Sequence, residues 1–227
     1  MFDAPVVVPL LLTLKVAFWA TFFATVFGVA AAYALSRWNS SSADLIDAVL
    51  TLPMVLPPTV LGYYLLVIFG RRGWLGQWLS HLGIELVFSW QGAVVAASLV
   101  AFPLVLKAAR GAFESLNPAY REAAQVLGVS EIAIFFRVTL CLAWPGILAG
   151  MLLAFARAFG EFGATLMIAG SIPGQTQTLS IAIYEAVQSG NDGAAVWLVV
   201  VASFTCVLAL WLARKLGVRS PGGQRLA

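Results

Sequence analysis

Arg157 and Glu161 stand four residues apart in the apolar stretch FARAFGEFGATLM (Phe155–Met167), and the chemistry open to them is that of an ion pair on one helical face. A lone charge in hydrocarbon costs about 2.5–3.5 kcal/mol on an insertion scale, so each must meet the other or a neighbour. No other residues have the make-up of a reacting centre. The one histidine, His81, has no cysteine, histidine or carboxylate cluster around it and reads as a solvated loop residue. Cys141 and Cys206 lie far apart in sequence, without metal-ligand spacing. The phosphate-cradling pattern GxxxxGK[ST] is absent. The residues thus suggest no catalytic group, no metal site and no cofactor. An intramembrane enzyme would need a nucleophile with its base, or metal ligands, inside the apolar segments, and the single histidine lies outside them.

The elements that must position the charged pair follow from composition. Of 227 residues 61% are hydrophobic and 10% charged, with a mean hydropathy of +0.94, whereas soluble domains carry roughly a quarter charged residues. The sequence is that of an all-α integral membrane protein. Apolar stretches long enough to cross about 30 Å of hydrocarbon, which takes about 20 residues, fall at Pro9–Ser36, Leu45–Phe69, Trp90–Lys107, Leu142–Ala169 and Ala194–Ala213. This predicts five spans, with room for a short sixth segment if Gly160 and Gly163 break the fourth. Met1–Val8 carries no basic residue and the apolar run after it is too long for a signal-peptide core, so it is expected to be the first span and not a cleaved leader.

With the N-terminus outside, the inner side holds Arg37, Lys107, Arg110, Arg121, Arg137, Arg214, Lys215, Arg219 and Arg225, and the outer side only Arg71 and Arg72. That excess predicts an N-out, C-in chain. Lys15 and Arg157 fall inside spans. The net charge of +3 and the pI near 9.1 are explained by this bias, and no nucleic-acid partner is needed to account for them.

Between the third and fourth spans the chain turns polar in REAAQVLGVS (Arg121–Ser130). Asn117 suits an N-cap, Pro118 the first helical position and Gly128 the residue just past the end, predicting a helix of about ten residues, after which Ser130 caps the next. Tyr120, Ala123, Ala124 and Leu127 share one face of it, and Arg121, Glu122 and Gln125 the other. Two readings stand side by side: a re-entrant or surface-lying connector, and a peg that docks a cytoplasmic partner.

EAAQVLG, followed nine residues after its glycine by VTLC, resembles the EAA loop of importer-type ABC transporter permeases, whose pattern is EAA, three residues, Gly, nine residues, Ile-x-Leu-Pro. Glu122, Ala123, Ala124, Gly128 and Leu140 match, while Val138 stands where isoleucine is usual and Cys141 replaces the proline. Pro145, four residues later, is expected to shape the start of the next helix instead. The resemblance implies that the cytoplasmic loop, about residues 108–141, forms a coupling helix seated in a groove of an ATP-hydrolysing subunit. Tyr120, Glu122, Ala123, Ala124, Leu127 and Gly128 are the implied contact residues.

LPMVLPPTVLGY (Leu52–Tyr63), the Phe155–Met167 stretch and IPGQTQTLSIAIYEAVQSG (Ile172–Gly190) resemble the molybdate-type permeases and, less closely, the sulfate and tungstate types. The likeness covers nearly the whole chain. It implies one permease domain over residues 1–227, working as a lipid-embedded homodimer in the bacterial cytoplasmic (inner) membrane. It also implies two ATP-binding subunits and a periplasmic or extracellular molybdate-binding protein, with ATP hydrolysed outside this chain.

Pro53, Pro57 and Pro58 remove backbone donors and interrupt the second span, either as a kink that improves packing or as part of a pore lining. The pore or gate candidates are Pro57, Pro58, Thr59, Arg157, Glu161 and Thr165, with Ser171, Thr176 and Thr178 as further polar side chains along an anion path. The Arg157–Glu161 pair reads either as structural or as part of that path. Gln175–Gly190 reads as a re-entrant gate or as a platform for the binding protein. Sulfate or tungstate is the alternative substrate, and a passive anion channel the alternative class; a channel shares the spans and prolines but has no use for a docking helix.

Overall fold

Every regular element in the computed structural model, which describes residues 4–38 and 40–217, is a helix. In chain order these are α1 (Ala4–Ser36), α2 (Ser41–Val55), α3 (Pro58–Phe69), α4 (Trp74–His81), α5 (Trp90–Glu114), α6 (Ala119–Val126) and α7 (Glu131–Ile134). A π turn (Phe135–Thr139) leads into α8 (Leu140–Phe159), followed by α9 (Gly163–Ala169), α10 (Leu179–Gln188) and α11 (Asp192–Gly217). Four helical stretches are long and apolar enough to cross a membrane, Val6–Ser36, Trp90–Glu114, Glu131–Phe159 and Asp192–Ala209, and α2 with α3 forms a fifth that is bent by 107°. Arg219 and Arg225, counted among the basic residues of the inner side, lie outside the described residues.

α5 is the central helix. Its small residues Ala93, Ala97, Ala101 and Ala109 are fully buried, letting α1 and α8 approach from either side. The α8 contact uses Gly146 and Gly150, spaced as GxxxG: a methyl on Gly146 would lie 2.6 Å from Ala112 Cβ, and one on Gly150 2.7 Å from Ala108 Cβ. In lipid, where apolar tails offer no hydrophobic drive between helices, such close backbone approach is what dispersion packing requires.

The second apolar stretch is not the straight span Leu45–Phe69. Pro57 and Pro58 lack the N–H groups that would continue the ladder, so α2 ends at Val55, Leu56 turns extended, and α3 starts with Pro58 in its first turn. The third runs beyond Lys107 to Glu114, because Asp47 on α2 takes up both Lys107 and Arg110, the latter at 3.0 Å. The first seven residues of the expected 108–141 loop are therefore helix.

The fourth stretch, expected over Leu142–Ala169, starts and stops earlier. Its helix begins at Glu131, where Ser130 Oγ accepts from Ala133 N–H at 3.4 Å, and it continues to Phe159. Pro145 thus sits inside a helix and not at its start, and Arg157 lies two residues before the end. The helix breaks at Gly160–Phe162, where the glycines allow it, and resumes as the short α9.

Within this helix the π turn widens the ladder, Leu140 N–H bonding to Phe135 C=O. Cys141, where the resemblance places proline, follows directly. Because the regular i→i−4 pattern is already interrupted there, Cys141→Pro is expected to insert and assemble at the wild-type level, measured as membrane-fraction protein. Failure to insert would show that the turn depends on the Cys141 N–H.

Candidate functional site

At the end of the bundle where α1 and α5 terminate, α6 is held in a fixed frame. Asn117 Oδ1 accepts from Ala119 N–H at 3.0 Å, and Pro118 is already helical. At the other end Gly128 adopts φ +75°, with its N–H on Gln125 C=O at 2.9 Å and Val129 N–H on Ala124 C=O at 3.1 Å. These two bonds are those of a Schellman cap, which wants glycine at that residue. The regular helix is eight residues long and not about ten.

The polar face expected on α6 divides. Arg121 Nη2 donates to Glu131 Oε1 at 3.1 Å and Oε2 at 3.2 Å, and Gln125 Nε2 donates to Oε1 at 2.6 Å. From the end of α1, Arg37 Nη1 donates to Glu131 Oε2 at 3.1 Å and to Tyr33 Oη at 2.7 Å. The Tyr33 ring packs on Phe135 at 4.4 Å and Phe113 at 5.7 Å. Single exposed ion pairs are worth about 0–1 kcal/mol, so three donors on one carboxylate matter here for geometry: they orient α6 against α1. Glu131 had no marker in the sequence beyond following the Ser130 cap, and Arg37 lies 94 residues away from it.

Away from this hub α6 presents Tyr120, Val126 and Leu127, which are 58%, 87% and 80% exposed, beside Ile132 at 74%. Glu122, Ala123 and Gly128 are exposed with them, and Ala124 is half-buried. α6 thus turns a group of bare apolar side chains outward at the polar end of the bundle, a surface of the kind found at protein contacts.

At the opposite end the breaks in two spans meet. A methyl on Gly163 would lie 2.8 Å from Pro58 Cβ, where the two helices start, and one on Gly62 2.5 Å from Met167 Cβ further along, so α3 and α9 pack against each other through glycines. Pro57, Pro58 and Thr59 are exposed along this junction. Arg157 Nη1 and Glu161 Oε2 pair at 2.7 Å, with the glutamate side chain 1% exposed and the arginine 37%. Glu161 Oε1 also accepts from Ala164 N–H at 2.9 Å. The carboxylate therefore balances Arg157 and caps α9, where a negative group is favoured.

Thr165, Thr176 and Thr178 are interior side chains of the protomer. The hydroxyls of Thr165, Ser171 and Thr178 are buried without a hydrogen-bond partner among the described residues, while Thr176 Oγ1 accepts from Ile172 N–H at 3.0 Å. Gln175–Gly190 contains α10, ten residues and so about 15 Å long, too short to cross. It is anchored to α1 by Leu179 N–H on Thr13 Oγ1 at 2.8 Å. His81, at the end of α4, is exposed, and no group of three metal-ligating side chains occurs among the described residues.

Gly163→Val would push the two breaks apart, overpacking that costs about 1–3 kcal/mol, and uptake is expected to fall. Membrane insertion, set by the long spans, is expected to persist. Uptake at the wild-type rate would mean that transport does not depend on the close contact of the two breaks.

A helical membrane bundle with two meeting breaks at one end and a held, outward-facing hook at the other has the build of a transport permease. The chain belongs to the family of binding-protein-dependent transport system inner membrane components, which matches residues 24–219. Within it, the chain is similar to the molybdenum transport system permease protein ModB of Escherichia coli strain K12: 44% identity over 210 residues, covering 90% of this chain and 92% of that one. The sulfate transport system permease protein CysT of Salmonella typhimurium is 37% identical over 183 residues, covering 81% of this chain and 66% of its own. Among solved structures, the bacterial alginate ABC transporter in complex with its alginate pentasaccharide-bound periplasmic protein superposes with a TM-score of 0.77 at 16% identity. It covers 96% of this chain and 80% of that one, a likeness of fold alone.

Proposed function

We propose that the chain is the permease subunit of a molybdate importer, a single domain acting as a homodimer, N-terminus outside, with two ATP-hydrolysing subunits and a periplasmic molybdate-binding protein. The observation that carries this reading is α6: anchored through Glu131 to α1, yet bare on its apolar side, it suits a helix that must transmit force from a partner. Tyr120, Glu122, Ala123, Ala124, Leu127 and Gly128 are its contact with the ATPase. ATP binding draws the two α6 helices together and opens the bundle outward; hydrolysis returns it. The permease makes and breaks no bonds.

Anion passage is assigned to the junction of the two breaks, with Pro57, Pro58 and Thr59 on its surface, Thr165 beneath it, and Arg157–Glu161 setting the position of α9. Since Arg157 is offset by Glu161, the path carries little net charge, which suits release of a dianion and leaves choice of anion to the binding protein. Molybdate is favoured over sulfate by identity and coverage, 44% over 92% of the relative against 37% over 66%. The test is molybdate accumulation in cells lacking their own molybdate permease, supplied with this chain and its partners. Restored molybdate uptake supports the proposal; restored sulfate uptake alone would reassign the substrate.

A further inference from the structure

On the outer flank of α5 lies a groove of about 830 Å³, walled by Trp19, Phe23 and Phe27 of α1 and by Trp90, Val94 and Phe102 of α5, with α3 and α4 closing its sides. It is no path for an oxyanion. Of its few polar side chains, Ser98 spends its hydroxyl on Val94 C=O at 2.6 Å. Such a surface accepts hydrocarbon. What distinguishes it from ordinary lipid-facing helix is the charge at its rim: Lys15, one turn before Trp19, holds its Nζ 3.5 Å from the centroid of the Trp90 ring. No carboxylate lies within ion-pair distance of Lys15 among the described residues.

Lys15 lies about 17 Å from the start of α1, and Trp19, Phe23 and Phe27 continue the apolar wall along the same helix for about 18 Å beyond it, while the flexible lysine stem can carry its ammonium toward a headgroup. We propose that this groove is a site for an anionic phospholipid, its phosphate on Lys15 and one acyl chain laid along α1 and α5. The leaflet, though not the site, rests on the N-out orientation.

The assembled transporter in vesicles of equal phosphatidylglycerol and phosphatidylcholine, doped with phosphatidylglycerol bearing a photoactivatable acyl chain, tests this without recourse to transport. Labelling of the Trp19–Phe27 and Val94–Phe102 peptides is expected to exceed that of the bare apolar face of α11, around Phe204 and Trp211, by about fivefold. The excess is expected to vanish in Lys15→Gln and with photoactivatable phosphatidylcholine. Equal labelling of α11, or an excess that ignores Lys15 and headgroup charge, would overturn the proposal. So would efficient disulfide formation between two copies of Ser98→Cys, which would mean that a second copy fills the groove.

Discussion

Gly128→Val is expected to abolish transport while the protein stays in the membrane at its normal level. Gly128 sits at φ +75°, a conformation that opposes a side chain by about 1–2 kcal/mol and more for a β-branched one. No neighbour crowds it, since nothing lies within 4 Å of where its Cβ would be, so the effect is one of backbone strain and not of space. Relieving that strain unwinds the Schellman cap, which frees the carbonyls of Ala124 and Gln125 and swings Leu127 out of register with Tyr120. Uptake is expected to fall about a hundredfold, because the contact proposed for α6 with an ATPase subunit needs both side chains on one face. Co-purification of the ATPase subunit with the variant is the direct check. Wild-type uptake in this variant would remove α6 from the coupling role.

Glu161→Ala is expected to lower the amount of assembled protein more than any other single exchange at the junction of α3 and α9. It strands Arg157 within an apolar span and uncaps α9. Breaking a buried pair from one side is worth about 3–5 kcal/mol, and the partial exposure of Arg157 places this case toward the lower figure. Changing Arg157 as well removes the stranded charge, so Arg157→Leu with Glu161→Ala recovers part of the loss, leaving the missing cap of α9. Membrane-fraction protein, measured for both single variants and the double, reports this. Normal protein levels in the single variants, with a changed choice of anion, would move the pair from scaffold to transport path.

The number of long apolar spans, the polar connector and the Arg157–Glu161 pairing were legible because each rests on local sequence: apolar runs of spanning length, caps at Asn117, Gly128 and Ser130, and a four-residue spacing. What sequence left open was distance in space. Pro57–Pro58 and Gly160–Gly163 each marked a break, but nothing local says that the two breaks touch. Glu131 is a first-turn acid of α7 that the sequence did not single out, and its role emerges only when Arg37, from the far end of α1, arrives beside Arg121. α4 was missed because its eight residues are too few for a span and lie in a loop punctuated by glycines. The start of the fourth helix was placed too late because Pro145 reads as a boundary, whereas a proline one turn beyond a π turn is tolerated inside a membrane helix.

The most direct measurement is molybdate uptake into vesicles holding the purified permease, with ATP, the ATPase subunit and the loaded binding protein left out in turn. Uptake is expected to require all three together, with tungstate competing at the binding-protein step and the permease itself discriminating poorly between tetrahedral dianions. Rapid molybdate flux through this subunit alone, without ATP, would contradict it and make the protein a channel.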